Sequence, residues 1–475
     1  MLDKKAVADI INLFNCIGDA ELTDISGTNH MDRAAVRLAG RLGREKCPDG
    51  FCYPVSSLLI LHSMKERFFM KNRWLIALAA VGIHISIGSV YAWSVLTRPI
   101  MAELGFTLQE TTWAFSIAIL FLGLSAGFLG GFVEKHGPRR SGFTSALFFG
   151  TGMLGTALAV HLKSLALLYL FYGFIGGIGL GVGYITPVST LVKWFPNNRG
   201  FATGLAIMGF GFASLIAGPL MQHLVAAYGL MQNFIILGAA YMVIMVLSAS
   251  YLEPPKTQPQ EQQTKSGYTT LLQPKSCTAA QALKTWQFYA LWWIFFTNIT
   301  CGIGLLAVAS PMAQEVAGMT PEAAASMVGI IGLINGGGRI AWSTVSDYIG
   351  RRSVYVLFFI IEIAAFYLLA QTANALLFQI LVFVIISCYG GGFSCMPAYL
   401  SDLFGTKELS AIHGKILTAW GLAGIAGPLL LSYMRETTSG YTATLYVFAA
   451  AFVLSLIVAL ILKWRTSVDI EIQKH

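Results

Sequence analysis

A short charged stretch occurs twice in the sequence, as Glu-Lys-His-Gly-Pro-Arg-Arg at residues 134–140 and as Asp-Tyr-Ile-Gly-Arg-Arg at residues 347–352. In both copies two residues separate an acid from a glycine, and a pair of arginines follows. The acids lie 213 residues apart, and so do the glycines. Each copy joins two apolar segments. This spacing indicates that the chain consists of two related halves.

Three further matches between the halves keep the same order along the chain. Arg-Pro at 98–99 corresponds to Ser-Pro at 310–311, and Phe195 corresponds to Phe404. Ala-Gly-Pro-Leu also occurs twice, at 217–220 and 426–429. All offsets lie between 209 and 213 residues. Parallel repeats of this kind occur in transporters whose binding site lies between the halves near the middle of the membrane.

The composition indicates a membrane protein. Of the 475 residues, 56% are hydrophobic and 11% are charged, whereas soluble domains have about 25% charged residues. Apolar stretches of about 20 residues, the length that spans the hydrocarbon core, follow one another from Trp74 onward. The predicted spans are 74–97, 111–133, 142–161, 165–187, 200–220, 230–252, 288–311, 323–345, 353–372, 374–398, 411–432 and 442–463. We predict an all-α membrane protein with twelve transmembrane helices in two six-helix repeats.

Positive charge is concentrated in alternate loops. From residue 64 onward, one set of loops and the chain ends contain 19 Lys and Arg residues, whereas the other set contains Arg98, Lys163 and Arg435. Positive charge marks the cytoplasmic side. We therefore expect a multi-pass protein of the plasma membrane, or the inner membrane in a bacterium, with both termini cytoplasmic. The formal charge of +8 then requires no nucleic-acid partner.

Four segments follow from these patterns. Residues 64–252 and 288–475 are predicted as the six-helix halves, and residues 253–287, rich in Pro and Gln, as a cytoplasmic linker. Residues 1–63 form a polar extension. Its regularly spaced arginines are compatible with a surface-lying basic helix, but we favour a disordered tail or a translation start assigned too early.

The two charged loops resemble the signature of the major facilitator superfamily, and the resemblance extends over about residues 70–465. It implies the major facilitator fold, and a gate in which loop carboxylates and arginines form pairs that break and re-form as the halves rock. The alternative is plain positive charge on the cytoplasmic side. The predicted gate residues are Glu134, Arg139, Arg140, Asp347, Arg351 and Arg352.

Arg339 is the most informative ionisable residue within a predicted span. Insertion scales put the cost of an arginine at the helix centre at roughly 2.5–3.5 kcal/mol. A carboxylate on a neighbouring helix would offset this cost, and so would an anionic substrate held through two parallel N–H bonds. Asn335 and the glycines at 336–338 precede it and reduce bulk on the same helix. We favour substrate binding over a structural ion pair.

Four motifs resemble the oxalate/formate antiporter family within the superfamily. They are Asn-Gly-Gly-Gly-Arg at 335–339 with Asp347, Gly-Ser-Val-Tyr-Ala-Trp-Ser at 88–94, Lys-Trp-Phe-Pro at 193–196 with Arg-Gly at 199–200, and Trp-Gln-Phe-Tyr at 286–289. Members carry small carboxylates such as oxalate, formate, pyruvate or lactate. In its best-understood members the span 8 arginine binds the anion. The resemblance assigns this role to Arg339.

One position departs from the family. The oxalate exchanger has a second cation, a lysine, in span 11, where this sequence has Trp420. A dianion favours two cations, so a site with Arg339 alone favours a monocarboxylate. Lys415 lies a turn or more nearer the cytoplasm and does not fill the gap.

Other polar and aromatic residues in the spans are weaker candidates. The residues predicted to line the pocket with Arg339 are Tyr91, Trp93, Asn335 and Trp420. Packing is the alternative for the aromatic residues, and an interfacial position is a further alternative for Trp93. Tyr184, Tyr389 and Asn298 are further candidates whose helix faces the sequence does not define. For proton coupling the candidates are His84 and Glu362. The alternatives are a hydrogen-bonded packing histidine and a protonated carboxyl that faces lipid.

The predicted function is secondary active transport of a small monocarboxylate, by proton symport or anion exchange. An oxalate/formate-type exchanger, a carrier of another carboxylate-bearing solute such as an amino acid, and a non-transporting sensor are the alternatives. Walker motifs, catalytic triads and metal-ligand spacings are absent from the sequence, so we expect neither an enzyme nor a cofactor. The expected partners are a small organic anion and the bilayer, with the protein as a monomer.

Overall fold

A computed structural model describes residues 71–255, 277–438 and 440–472, and every regular element in these ranges is a helix. The predicted N-terminal extension, residues 1–63, and residues 256–276 of the predicted linker lie outside the described residues. The segment boundaries therefore stay a prediction. From Lys71 onward, the described residues form one compact unit.

Twelve membrane-spanning segments, called spans 1 to 12, account for the described helices apart from a short one at Ala279–Ala282. Spans 1 to 6 are Arg73–Leu104, 108–136, 138–161, Leu165–Trp194, Arg199–Tyr228 and Leu230–Tyr251, and spans 7 to 12 are Trp286–Ala317, Pro321–Ile349, Arg351–Leu369, Ala375–Phe404, Leu409–Thr438 and Thr442–Ile472.

The number of spans follows from two local features. Ten helices in the described ranges are long and apolar enough to cross a membrane. One of them contains two spans, because the backbone leaves the helical region at Gly137, with φ 75° and ψ 171°. Pro321–Ile349 is not among the ten because Asn335, Arg339 and Asp347 reduce its apolar character. The predicted all-α membrane protein with twelve spans is confirmed.

The two charged loops lie on the same side of the bundle, which we call the basic face. Lys71, before span 1, pairs with Glu253 after span 6 at 3.2 Å. Trp194, which ends span 4, donates to the Glu253 carbonyl at 2.8 Å. In the other half, the Cys277 N–H donates to the Phe404 carbonyl at 3.0 Å. These contacts join the ends of spans 1, 4 and 6 in the first half, and the end of span 10 to the segment before span 7 in the second.

The halves pack against each other mainly through span 2 with span 11 and span 5 with span 8. Small residues allow the backbones to approach closely, as is common between membrane helices. A Cβ atom at Gly130 would lie 2.5 Å from the Ser410 carbonyl oxygen, and one at Gly211 would lie 2.9 Å from the Gly336 Cα. Among the described residues, the hydrogen bonds between the halves lie on the basic face or mid-membrane. The structure is therefore closed on the basic face.

Two spans contain irregular turns that hydropathy does not predict. Ser89–Ala92 in span 1 is a 3-10 turn, and Tyr169–Gly176 in span 4 is π-helical. Such departures from α-helix are frequent at functional positions. The 3-10 turn contains Tyr91, a predicted pocket residue.

Candidate functional site

Arg339 is fully buried at the contact between span 8 and span 5. Its Nε donates to Asn335 Oδ1, one turn earlier, at 3.1 Å. Its Nη1 donates to the Ile207 carbonyl of span 5 at 3.2 Å. The third nitrogen, Nη2, is buried without a hydrogen-bond partner among the described residues. One edge of the guanidinium is thus held by the protein and the other has an unused donor.

No carboxylate of the described residues pairs with Arg339 within 4.0 Å. Two aromatic rings lie beside the charge instead, Phe210 at 5.8 Å and Phe393 at 5.1 Å from the guanidinium carbon. Cation–π contacts of this kind contribute roughly 0.5–2 kcal/mol. They offset only part of the cost of a buried charge. In the described part of the chain, the structural ion-pair interpretation has no acidic partner.

Five aromatic residues from five spans surround this charge, and we call them the aromatic cage: Tyr91, Tyr184, Phe210, Phe393 and Trp420. Trp420 is central to it, with ring centroids 4.8 Å from Phe393, 5.2 Å from Tyr184 and 5.5 Å from Phe210. The Tyr91 ring lies 5.0 Å from Phe210. Both halves therefore contribute to one contiguous cluster around Arg339.

Trp420 occupies the centre of the cage without a polar partner. Its side chain is fully buried, and its Nε1 donor has no acceptor among the described residues. Lys415 points elsewhere: its Nζ donates to the Gly127 carbonyl at 3.3 Å and lies over Phe128, whose side chain is 78% exposed. Arg339 is thus the cation that contacts the cage rings.

The predicted pocket residues divide into two groups. Asn335 accepts from Arg339, and the Tyr91 ring lies 6.4 Å from the Trp420 ring, so these four residues form one group. The Tyr91 hydroxyl is 3.4 Å from the Tyr389 hydroxyl across the two halves. Trp93 instead packs within the N-terminal half against Tyr172, with centroids 4.1 Å apart. Tyr91 lies in the 3-10 turn at Ser89–Ala92 and Trp93 directly follows it, so the two side chains contact different groups of residues.

The two proton-coupling candidates occupy different environments. His84 is fully buried, its Nε2 lies 3.3 Å from the Tyr184 carbonyl oxygen, and its ring contacts two cage members. Glu362 is 1% exposed, and Asn298 Nδ2 donates to its Oε1 at 3.1 Å. This carboxyl faces the interior of the C-terminal half, so the lipid-facing alternative for Glu362 does not fit the structure. Asn298 also packs closely against span 10, because a Cβ atom at Gly392, next to Phe393, would clash with Asn298 Oδ1.

Glu134 joins the halves on the basic face. Its Oε1 accepts the Ser410 N–H of span 11 at 2.7 Å, and its Oε2 accepts Lys193 Nζ of span 4 at 2.9 Å. Ser410 is in the first turn of its helix, where N–H groups have no partner within the helix. A carboxylate there also interacts favourably with the helix dipole.

Asp347 forms the equivalent contact in the other half. Its oxygens accept the N–H groups of Gly200 at 3.0 Å and Phe201 at 2.9 Å, in the first turn of span 5. Asn198, at the N-cap of that helix, makes no capping bond with its side chain. Arg351 pairs with Asp347 and, at 3.4 Å, with Asp402. The acid of each repeat thus caps a helix of the opposite half.

The remaining gate candidates differ between the halves. Arg139 and Arg140 are exposed, and neither forms an ion pair with a described residue. Arg352 is partly buried beside Tyr399. Gly137 and Gly350 both have positive φ, 75° and 86°, so both loops turn at the same glycine. The turn is repeated, but the arginine contacts are not.

Several residues of the candidate site and of the basic face were not predicted from the sequence. Phe210 and Phe393 have no polar atom, so nothing distinguished them from packing residues. Asp402 pairs with Arg199 at 3.4 Å but lies outside the repeated motif. His413 is fully buried beside Tyr184. Its position seven residues before Trp420, on the same helix face, is the signal that would have identified it.

The profile of the Major Facilitator Superfamily matches residues 75–348 and 338–475. The chain belongs to this superfamily. The major facilitator fold with two six-helix repeats, predicted from the loops, is confirmed. Such proteins are secondary transporters and not enzymes, so this chain is a multi-pass membrane transporter of a small molecule.

Comparison with individual proteins supports the same conclusion. The chain is 28% identical over 359 residues to the uncharacterized MFS-type transporter YhjX of Escherichia coli, covering 75% of this chain and 87% of that protein. It is 28% identical over 388 residues to the oxalate:formate antiporter of Oxalobacter formigenes, covering 80% and 90%. The transporter FucP, solved as a crystal structure, has the same fold, with a TM-score of 0.64 at 14% identity over 81% of this chain and 98% of FucP.

Proposed function

We propose that this transporter carries a small monocarboxylate, such as pyruvate, lactate or formate, by alternating access. The observation that carries the proposal is the unused Nη2 of Arg339, buried between the halves without a carboxylate partner among the described residues. A carboxylate of the substrate would accept from this edge and neutralise the buried charge. Proton symport and anion exchange are both compatible with this geometry.

The single cation favours a monocarboxylate over a dianion. A second charge in the cage would lie next to Trp420 and its aromatic neighbours, and the described residues place no second cation there to compensate it. Burial of an uncompensated charge is strongly unfavourable. The relative from Oxalobacter formigenes is named as an oxalate:formate antiporter, and this chain is proposed to share the carboxylate chemistry but not the dianion.

Uptake into proteoliposomes tests the proposal. Labelled pyruvate, lactate, formate and oxalate are supplied with and without a pH gradient, and with and without unlabelled anion inside. The expected result is saturable uptake of at least one monocarboxylate and little uptake of oxalate. Uptake of amino acids alone would favour the other-solute alternative, and no uptake of any of these carboxylates would contradict the proposed substrate class.

Trp420→Lys is expected to add oxalate uptake and to reduce monocarboxylate uptake. The new ammonium would supply a second cation within the cage, which suits a dianion and leaves an unpaired charge when a monoanion binds. Trp420→Phe serves as the control, because it changes the ring without adding charge. A Trp420→Lys protein that carries a monocarboxylate as the wild type does and takes up no oxalate contradicts the one-cation argument.

The basic face is proposed to be the cytoplasmic gate. Glu134 and Asp347 each accept backbone N–H groups from the opposite half, so separation of the halves on this face breaks both sets of contacts. Arg351 and Arg352 support the second set. Arg139 and Arg140 are proposed to form their contacts in another state of the cycle. The charge distribution of the loops supports cytoplasmic termini and a location in the plasma membrane.

Glu362→Gln is expected to preserve substrate exchange and to abolish the stimulation of uptake by an inward proton gradient. The amide keeps a hydrogen-bond acceptor for Asn298 but cannot exchange a proton. Counterflow and gradient-driven uptake are measured on the same vesicles. Equal stimulation in the variant and the wild type would remove Glu362 from the coupling proposal and leave His84 as the proposed group.

A further inference from the structure

Tyr184 lies between two buried histidines from opposite halves. The His84 ring of span 1 is 5.3 Å from the Tyr184 ring, and the His413 ring of span 11 is 6.1 Å from it. All three side chains have no exposed surface. We call these three residues the polar cluster.

The polar cluster shares Tyr184 with the aromatic cage and extends from it toward the basic face. His413 lies two helical turns before Trp420 and one turn after Ser410, whose N–H is bound by Glu134. Phe210 connects the cluster to Arg339: its ring is 5.5 Å from Tyr184, 6.4 Å from His84 and 5.8 Å from the guanidinium carbon. The cluster and the guanidinium therefore flank the same ring.

Four polar atoms of the cluster have no hydrogen-bond partner among the described residues: His84 Nδ1, Tyr184 Oη, and both ring nitrogens of His413. Each buried polar group left unsatisfied costs about 1–3 kcal/mol. Leucine or phenylalanine would pack at these positions without this cost. The concentration of unused groups on three helices therefore indicates a polar ligand.

The chemistry of these groups specifies what the ligand offers. A tyrosine hydroxyl can donate and accept, and each neutral imidazole has one donor and one acceptor nitrogen. Arg339 lies across Phe210 from the cluster, and Glu134 binds the N–H of Ser410, one turn before His413. A neutral hydroxyl satisfies such a set, because it donates to an imidazole nitrogen and accepts from the tyrosine.

We propose that the polar cluster binds the hydroxyl group of a 2-hydroxy monocarboxylate whose carboxylate is bound by Arg339. This inference rests on the proposed function and adds the substrate class and its specificity residues, Tyr184 and His413. A site that hydrogen-bonds a substrate hydroxyl discriminates strongly against the analogue that lacks it, because its own polar groups then stay unpaired.

The experiment compares L-lactate with propionate, which lacks the hydroxyl and is otherwise the same acid. Values of kcat/KM are measured for both in proteoliposomes of the full chain. The wild type is expected to prefer lactate by about tenfold or more, the order of one buried hydrogen bond. Tyr184→Phe and His413→Leu are each expected to reduce this ratio about tenfold. Tyr172→Phe, which removes a buried hydroxyl elsewhere on span 4, should keep the wild-type ratio.

The outcomes separate the two proposals. A wild type that carries both acids equally well, with a ratio unchanged in Tyr184→Phe and His413→Leu, overturns the hydroxyl subsite and leaves the monocarboxylate carrier standing; the cluster then holds only water. A wild type that carries neither acid, nor pyruvate or formate, overturns the proposed function and this inference with it.

Discussion

Arg339→Ala is expected to reduce monocarboxylate uptake at least about 100-fold, because charge-assisted hydrogen bonds contribute about 1.5–3 kcal/mol each and a carboxylate takes up two of them. Arg339→Lys should recover part of the activity, about a tenth of the wild-type value, since the lysine restores the charge without the planar fork. The measurement is the initial rate of labelled uptake at matched amounts of reconstituted protein.

Stability provides the control for this prediction. Arg339 has no acidic partner among the described residues, so its removal should not destabilise the fold in the way that breaking a buried ion pair does. Thermal unfolding of Arg339→Ala is therefore expected to stay close to that of the wild type. Arg435→Ala, which removes a half-exposed arginine paired with Glu315 on the opposite face, should transport normally. Full uptake by Arg339→Ala would contradict the anion-site proposal.

Asp347→Ala is expected to shift the protein away from the state closed on the basic face. The substitution removes two hydrogen bonds to span 5 and leaves Asp402 as the carboxylate that pairs with Arg351. At about 1.5 kcal/mol or more for each charge-assisted bond, the closed state would lose about 3 kcal/mol, which corresponds to roughly a 100-fold change in the ratio of states. Asp347→Asn keeps one acceptor and should have an intermediate effect.

Cys395 reports this opening. It is fully buried in span 10, near Arg351 and Ser346. With the other six cysteines replaced by serine, a maleimide should label Cys395 slowly in the parent protein and much faster in Asp347→Ala. Glu315→Ala, on the opposite face, is the control and should label as the parent does. Equal labelling of Asp347→Ala and the parent would show that Asp347 does not hold the gate.

Most of the fold could be predicted from the sequence, because a helix in lipid must satisfy its backbone internally and must be about 20 residues long. The observed helices extend beyond the predicted ends, as in span 4, which continues from Pro187 to Trp194. Hydropathy contains no information on the 3-10 and π-helical turns, because they change hydrogen-bond geometry and not composition.

The contacts of the proposed gate were predicted only in part. The repeated loops identified Glu134 and Asp347, but their partners are backbone N–H groups of Ser410 and Gly200, which no side-chain pattern reveals. The arginines of the two loops were predicted to be equivalent, but their contacts depend on which charged residues lie nearby in each half. Lys193 and Asp402 occupy corresponding repeat positions with opposite charge, so Arg351 has an acidic neighbour that Arg139 and Arg140 lack.

The candidate site was predicted from its charged residue and not from the aromatic residues that line it. A lone arginine within a span is conspicuous because of its cost, whereas Phe210 and Phe393 resemble any packing residue. Helix faces decide which aromatic side chains meet, and they separated Tyr91 from Trp93, two residues later. Tyr184 was a candidate whose helix face the sequence does not define, and His413 was not predicted. The structure places their unpaired polar atoms in one cluster.

Direct binding tests the central claim without the intervening steps of transport. Calorimetric titration of L-lactate into the purified full chain is expected to give one site per chain in the wild type and in Asp347→Ala. Arg339→Lys should bind much more weakly, and Arg339→Ala should show no measurable binding. Undiminished binding by a folded Arg339→Ala protein would contradict the account.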